Sequence, residues 1–516
     1  MGKKNAAGTV SFIFIAIMLA KVLGQVREMV IAAIYGTSVQ ASAYVIASQI
    51  PVNFFDMILG SAISSAFIPV YNKFIEKESE KRANLFATRF LNFVILVTML
   101  LSLSGVCFAP FIISVFAPKM DVQAQLMAAR LLRIMFPMVI FTGMAFTLVG
   151  LLQSLGEFKI PAIMSLISNT VCIVYLLTLN NIWGIYGLAA SLFIGWILQF
   201  AVLVVPAYKR GYRYSLAAGL KDSGLKEVAL LALPVLFASW VQPINTTVNM
   251  AIASGMNNSS GVSALNYANK LYIIAASVFA VSLTNYIFPK LSRAWVAGDG
   301  GEWSKTMQSS IKMVLLVVIP IALVFLVQGS DIIRIVYKRG EFTESDVSLT
   351  SSAMFFYSLG MLWYSLQEVF NKAFYSSMDS KTPMIIAVGG IVTNVALCFA
   401  LSKFMGIAGL ALSASVSAFI WCAVSAVMIR KKIGRTDIKA MQPVQIVIMA
   451  AAMGGVIFLL KKIMITAVGT DTFIRAAVTF AVPAGAGAAV YVILAFILKI
   501  NETKIITDKL GGRKNV

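Results

Sequence analysis

The chain has 516 residues, of which 59% are hydrophobic and 12% charged; it holds no histidine and carries a formal net charge of +21. A soluble protein has about 45–50% apolar and about 25% charged residues, so a water-soluble globular enzyme is excluded, and the commonest general base and transition-metal ligand is missing. The basic excess is spread over connections between apolar runs rather than gathered on a soluble face or arm, which argues against a nucleic-acid partner.

Apolar runs of about 20 residues, the length of a bilayer crossing, recur along the whole sequence. About fourteen spans are predicted, at 9–35, 41–72, 85–117, 122–155, 160–180, 183–208, 226–254, 260–290, 305–337, 344–376, 382–402, 404–430, 441–464 and 472–499. The expected fold class is an all-α polytopic membrane protein. The opening MGKKNAAGTVSFIFIAIMLA has the basic-then-apolar order of a signal peptide, but LAKVLGQVRE follows with no small-x-small cleavage site, so it is read as the first membrane helix. Cys107, Cys172, Cys398 and Cys422 all lie in apolar runs and imply neither a disulfide framework nor a metal cluster.

Lys and Arg alternate between connections. One set holds Lys3 and Lys4; Lys73, Lys77, Lys81 and Arg82; Lys159; Lys209, Arg210, Arg213, Lys221 and Lys226; Lys290, Arg293 and Lys305; Lys381; Arg430, Lys431, Lys432, Arg435 and Lys439; and a tail from Lys499 to Lys514. The other holds only Lys119, Lys338, Arg339, Lys403, Lys461 and Lys462. The positive-inside rule makes the rich set cytoplasmic, so both termini are expected there and the span count is even.

The sequence also repeats itself. WGIYGLAAS (Trp183 to Ser191) matches MGIAGLALS (Met405 to Ser413) at an offset of 222, and LLQSLGEFKIPAI matches AFYSSMDSKTPMI at the same offset. SSAFIPVYNKF resembles TNYIFPKLSRA, with Pro69 opposite Pro289 at an offset of 220. Two six-span lobes in the same orientation are therefore expected, related by a pseudo-twofold along the membrane normal. The organisation is an N-lobe 1–208, a cytoplasmic linker 209–225, a C-lobe 226–430, and spans 13 and 14 with a cytoplasmic tail over 431–516.

A charge at mid-bilayer costs about 2.5–3.5 kcal/mol on insertion scales and faces a cavity or a partner. Lys21 is about eleven residues from either end of its span, too deep for comfortable snorkelling. Glu28 is seven residues on, nearly on the same face, while Arg27 points about 120° away from Lys21 unless Gly24 bends the helix. Two readings stand: cations lining an anion-accepting cavity, or a buried Lys21–Glu28 or Arg27–Glu28 pair that fixes packing. Lys270, near Asn266 and Asn269, has its nearest acids, Asp299 and Glu302, beyond the span, and reads as a cavity cation or as a snorkelling lysine.

Glu368 with Lys372, and Asp331 with Arg334, have the spacing of helical ion pairs. Arg89 reads as solvated or facing lipid phosphate, and Arg130 and Arg133 as interfacial. Pro243 frees a backbone carbonyl beside Gln242, Asn245, Thr246 and Asn249, marking a hinge, a cation site or a kink. No Walker loop, HExxH or GxSxG sequence occurs, and no soluble stretch is long enough to hold a nucleotide. The chain reads as a transporter rather than an enzyme.

AKVLGQVREMVIAAIYG followed by IPVNFFDMILGSAISSAFIPVY, then NYANKLYIIAASVFAVSLTNYIFPKLSR, VYKRGEFTESD and AFYSSMDSKTP, resembles the MurJ (MviN) family, the lipid II flippases of bacterial cell-wall synthesis. That family belongs to the multidrug/oligosaccharidyl-lipid/polysaccharide exporter (MOP) superfamily, and the resemblance covers essentially the whole chain. It implies a protein of the bacterial cytoplasmic membrane that moves lipid II by alternating access through a cationic cavity. The substrate has a diphosphate, an acidic peptide and a polyprenyl tail, for which spans 13 and 14 offer an apolar groove. No cofactor or catalytic residue is implied. A monomer is sufficient, among membrane lipids and beside the cell-wall synthesis machinery.

By resemblance, Lys21, Arg27 and Lys270 bind substrate, supported by Glu28, Asn53, Asp56, Asn266 and Asn269. Some members use a sodium site near spans 7, 11 and 12, for which Asn245 and Asn394 are the available polar groups; sodium or the membrane potential is the implied drive. There are departures. Lys21 and Lys270 stand where arginine is common, which keeps charge but loses the bidentate fork. Phe55 and Asp56 stand where an arginine pair is often found, Ser42 replaces a frequent acid, and Asn269 stands where an acid commonly precedes the cation. The alternatives are a flippase for another polyprenyl-diphosphate-linked saccharide (O-antigen, capsule, teichoic or sporulation-related), a cation-coupled drug antiporter, and a membrane enzyme acting on lipid-linked sugars.

Overall fold

The computed structural model describes residues 3–53, 60, 63–215, 222–239, 241–433, 441–470 and 472–498; Phe55 and Asp56 lie outside them. The described residues are helical nearly throughout, with no strand. Contacts divide the chain into two compact units, Met1–Ser263 and Ala264–Val516.

The first unit runs through α1 (Lys3–Tyr35), α2 (Val39–Pro51), a π-helical turn (Ile63–Phe67), α3 (Ile68–Lys77), α4 (Glu80–Cys107), α5 (Ala109–Phe116), α6 (Val122–Met135), α7 (Met138–Ser154), α8 (Lys159–Thr178), α9 (Asn180–Lys209), α10 (Ser223–Ser239) and α11 (Val241–Ala253). After the start of α12 (Ser260–Val296), the second unit continues with α13 (Gly300–Tyr337), α14 (Glu344–Ser376), α15 (Lys381–Ile433), α16 (Met441–Ala467) and α17 (Phe473–Ile497). Eight helical stretches among the described residues are long and apolar enough to cross a membrane, and they coincide with expected spans 3–6, 9 and 11–14. The other expected spans are those that carry Lys21, Asp56, Asn245, Lys270 and Glu368.

Residues 222 apart adopt the same local backbone. α9 is interrupted at Gly184 (φ 53°, ψ −142°) and α15 at Gly406 (φ 57°, ψ −134°). Unbroken, the 53 residues of α15 would reach about 80 Å, far more than the roughly 30 Å of bilayer hydrocarbon. The break at Gly406 divides them into two crossings' worth of helix. In the first unit the Tyr175 hydroxyl donates to the Gly184 carbonyl at 2.7 Å, fastening that turn. The α7 and α14 C-termini repeat as well, with positive φ at Gly156 (77°) and Met378 (58°). Each is closed by a long return bond, Glu157 N to Leu152 O at 2.8 Å and Asp379 N to Phe374 O at 3.0 Å, the closure expected of a left-handed helix cap.

Two outcomes follow from these angles. Gly184→Ala and Gly406→Ala should each destabilise by about 1–3 kcal/mol, because a Cβ is strained in that region. Met378→Gly should stabilise by up to about 1 kcal/mol, by relieving a non-glycine residue held left-handed. Thermal unfolding of the purified variants in detergent checks both signs.

The first unit is packed around a stack of aromatics from consecutive elements. Phe67 lies 5.5 Å from Tyr71, 5.6 Å from Phe86 and 4.9 Å from Phe90, centroid to centroid. Such pairs add about 0.5–1.5 kcal/mol each beyond the area they bury. Gly150 of α7 makes room for them, since a Cβ there would come within 2.9 Å of the Phe67 ring. α10 packs on the π-helical turn, α3 and α4, and α11 on α5. The contact boundary therefore falls after α11, between Ser263 and Ala264, whereas the sequence repeat leads one to expect a C-lobe from 226. In the second unit, α13, α16 and α17 share a core of Leu316, Ile446, Met449, Met453, Ile457 and Tyr491.

Candidate functional site

α1 carries its charges on a helix that packs against α8. The Lys21 side chain is exposed, with no ion pair to it among the described residues. Arg27 Nη2 meets Glu28 Oε1 at 2.8 Å, and the Glu28 side chain is only 7% exposed. Adjacent helical residues diverge by about 100°, so Arg27 curls around the helix to reach its neighbour. Of the pairings open to Glu28 in the sequence, the structure makes the one with Arg27 and leaves Lys21 apart. One guanidinium N–H is thereby committed; the enclosed Arg27 Nε has no hydrogen-bond partner among the described residues. Glu28 thus orients a cation that keeps donors for an anion.

The other polar residues named from the sequence mostly have partners. Ser42, which stands where the resemblance expects an acid, is fully buried and meets Ser263, Oγ to Oγ, at 3.0 Å. A carboxylate in that place would carry a large desolvation cost that the two hydroxyls avoid. Asn53 is half-buried and donates to Gln49 Oε1 at 3.3 Å. Asp56 falls outside the described residues. Asn245 is half-buried and partnered, and near it the Thr247 hydroxyl donates to the Pro243 carbonyl at 2.8 Å.

In the second unit, α12 presents Asn266, Asn269 and Lys270, all half-buried, with Asn266 and Lys270 one turn apart. Lys270 is partnered rather than isolated. Three residues along α12 from Asn269, Tyr272 stacks on the Tyr357 ring of α14 at 5.3 Å, with Tyr364 edge-on to it at 6.2 Å. This aromatic wall holds α12 to α14. Asn394 is buried and accepts from Cys398 Sγ at 3.7 Å. The two amides named for an ion site therefore sit in different units, Asn245 in the first and Asn394 in the second.

Some charges depart from sequence expectation. Arg89 is not left to solvent or lipid: its Nη1 donates to Asp222 Oδ2 at 3.1 Å, beside Arg82, which takes both carboxylate oxygens at 2.8 and 2.9 Å. The Asp222 side chain is fully buried and also accepts from the Gly224 N–H at 2.8 Å. Burial pushes the Asp222 carboxyl up, but the hydrogen bonds from Arg82, Gly224 and Arg89 outweigh it and hold the group below the usual carboxylate range. Lys73 adds a pair to Glu227 at 2.8 Å. An Asp before Ser223 and Gly224 is legible as a helix start; its arginine partners, more than a hundred residues away, are not. Lys372 lies over the Phe288 ring at 5.5 Å.

A multi-pass helical fold with cations and amides set on its less apolar helices is that of a polytopic membrane protein, and its similarity to known proteins refines the class. A solved structure of a multidrug resistance MATE family transporter of the MOP superfamily, in an inward-facing conformation, aligns with TM-score 0.70 at 12% identity, covering 84% of this chain and 99% of that one. That likeness is one of fold. The model of the lipid II flippase MurJ family matches residues 31–479, and the chain belongs to that family. A probable lipid II flippase MurJ of Vibrio cholerae is 29% identical over 421 residues, covering 78% of this chain and 79% of the relative. A solved lipid II flippase MurJ in an inward closed conformation aligns with TM-score 0.81 at 25% identity, covering 94% of this chain and 98% of that structure.

Proposed function

We propose that this protein moves lipid II across the inner membrane, from the cytoplasmic to the outer leaflet, as a flippase rather than an enzyme. The family match over residues 31–479 carries the reading. The chemistry of the chain is suited to it: Lys21 is exposed on α1, Arg27 is oriented by Glu28 with donors to spare, and Lys270 lies on α12. In this reading the three cations bind the diphosphate away from bulk water, where Coulomb attraction is several-fold stronger than in water. Asn53, Asp56, Asn266 and Asn269 support them.

The finer architecture is part of the proposal. Fourteen spans form two six-helix lobes, 1–208 and 226–430, joined by the 209–225 linker, with spans 13 and 14 added and both termini cytoplasmic. The recurrence of backbone geometry at Gly184 and Gly406, and at Gly156 and Met378, supports the duplication. The exposed apolar side chains of α16 and α17, among them Phe458, Leu459, Ile463 and Ile474, suit a polyprenyl tail that stays in lipid while the headgroup crosses. An inside-negative potential favours the return of an empty cationic cavity, at about 2.3 kcal/mol per charge per 100 mV. Asn245 and Asn394 are the residues to vary in a test of sodium dependence.

The test is complementation of bacteria depleted of their own lipid II flippase. Wild-type protein at normal membrane levels is expected to restore growth and cell shape. Failure despite good expression would overturn lipid II as substrate and point to another polyprenyl-diphosphate-linked saccharide.

A further inference from the structure

The last turns of α13 hold a polar assembly that no step above uses. Gln328 departs from helical angles (φ −115°, ψ 18°), and a distortion of that kind is where another group inserts into the backbone ladder of a helix. The inserted group is an ammonium from another helix. Lys461 of α16 donates from Nζ to the Val327 carbonyl at 3.0 Å and pairs with Asp331 Oδ2 at 2.6 Å. The two side chains are 17% and 4% exposed. Arg334 Nη1 flanks the other carboxylate oxygen at 3.4 Å and also reaches Glu344, which pairs with Lys338 at 2.7 Å. The buried Gln328 side chain donates to the Phe480 carbonyl of α17 at 3.1 Å. Nearer the other end of α13, the Tyr491 hydroxyl of α17 donates to the Leu316 carbonyl at 2.8 Å.

We propose that Asp331 and Lys461 are a fastening pair: the ammonium of α16, seated at the break in α13, fixes the register of α16 and α17 on α13, so that the three helices move as one body. The apolar core between them is non-directional; alone it tolerates one helix sliding past the next. A buried ion pair adds little net stability, but it is costly to break from one side, so it penalises every register except its own. If the lipid tail runs along α16 and α17, an idea that rests on the function proposed above, then Lys461 and Asp331 are positioning residues for transport. The fastening itself does not depend on that reading.

The experiment is a double-mutant cycle in the full-length protein, read by thermal unfolding and by complementation at matched membrane levels. Lys461→Met leaves the buried Asp331 carboxylate with only the longer contact to Arg334 and should lower Tm by several degrees and abolish rescue. Asp331→Asn should lower Tm as well. The double variant should recover much of the loss in Tm, because neither charge is left buried alone, and Lys461→Arg should keep both Tm and rescue. Additive losses in the double variant, or a Lys461→Met protein that matches wild type in both readouts, would overturn the pair. Strong coupling in Tm alongside a wild type that fails to rescue would uphold the fastening and sink the proposed substrate.

Discussion

Lys21→Ala and Lys270→Ala should each abolish rescue of flippase-depleted cells at wild-type membrane levels, while Lys21→Arg and Lys270→Arg sustain it. Lys21 is exposed on its helix with no ion pair among the described residues, so removing it strands no buried carboxylate and folding should be spared. Under the proposed function, what is lost is a charge-assisted bond to the diphosphate, worth about 1.5–3 kcal/mol, or about 10- to 100-fold in affinity. Arginine restores the charge and adds a bidentate fork. Arg27→Ala needs a control, because it removes one side of the buried pair with Glu28, and breaking a buried pair from one side costs about 3–5 kcal/mol. The control is Arg27→Ala with Glu28→Gln, which should recover membrane level but not rescue. Rescue by all three single alanine variants would show these charges to be packing devices.

Asp222→Ala should loosen the linker before α10 and lower the stability of the first unit. The carboxylate is fully buried and shared by Arg82 and Arg89, which are 23% and 26% exposed. Full burial of all partners would put the loss near the 3–5 kcal/mol of a broken buried pair; partial solvation of the arginines reduces it to about 2 kcal/mol. Faster proteolytic cleavage between Lys209 and Lys226, together with a lower Tm, would be the signature. Unchanged cleavage and Tm would show the cluster to be dispensable. The pH dependence has a definite sign. The folded-state pKa of Asp222 is depressed, so its stabilisation is fully present above the unfolded value of about 3.9 and is lost as pH falls through the folded-state value. The difference in Tm between wild type and Asp222→Ala should therefore be flat near neutrality and shrink only in acid.

Sequence reasoning reached the class of the protein, the positions of most helices and the repeat. It also reached the charged residues of α1 and α12, because lysine inside an apolar run is costly wherever it points. The Asp331–Arg334 pair was legible from its spacing and is made. The partners that come from remote segments were not. Lys461 reads as an ordinary outer lysine until α16 is seen against α13, and Arg89 reads as solvated or facing lipid phosphate until its bond to Asp222 is seen. Nor could the sequence choose between Lys21 and Arg27 as the partner of Glu28: ideal helical angles favour Lys21, while a flexible guanidinium can bend around the helix.

By itself, then, the sequence determined that this is a polytopic helical protein, with motifs that recur 222 residues apart and cations inside apolar runs. Composition, hydropathy and the cost of buried charge are local properties that survive without a fold. Only the tertiary structure decided which charge neutralises which: Arg27 with Glu28, Arg82 and Arg89 with Asp222, Lys461 with Asp331. Ion pairing depends on distances of about 3–4 Å between side chains that the chain brings together from far apart, and on burial that no single helix can supply.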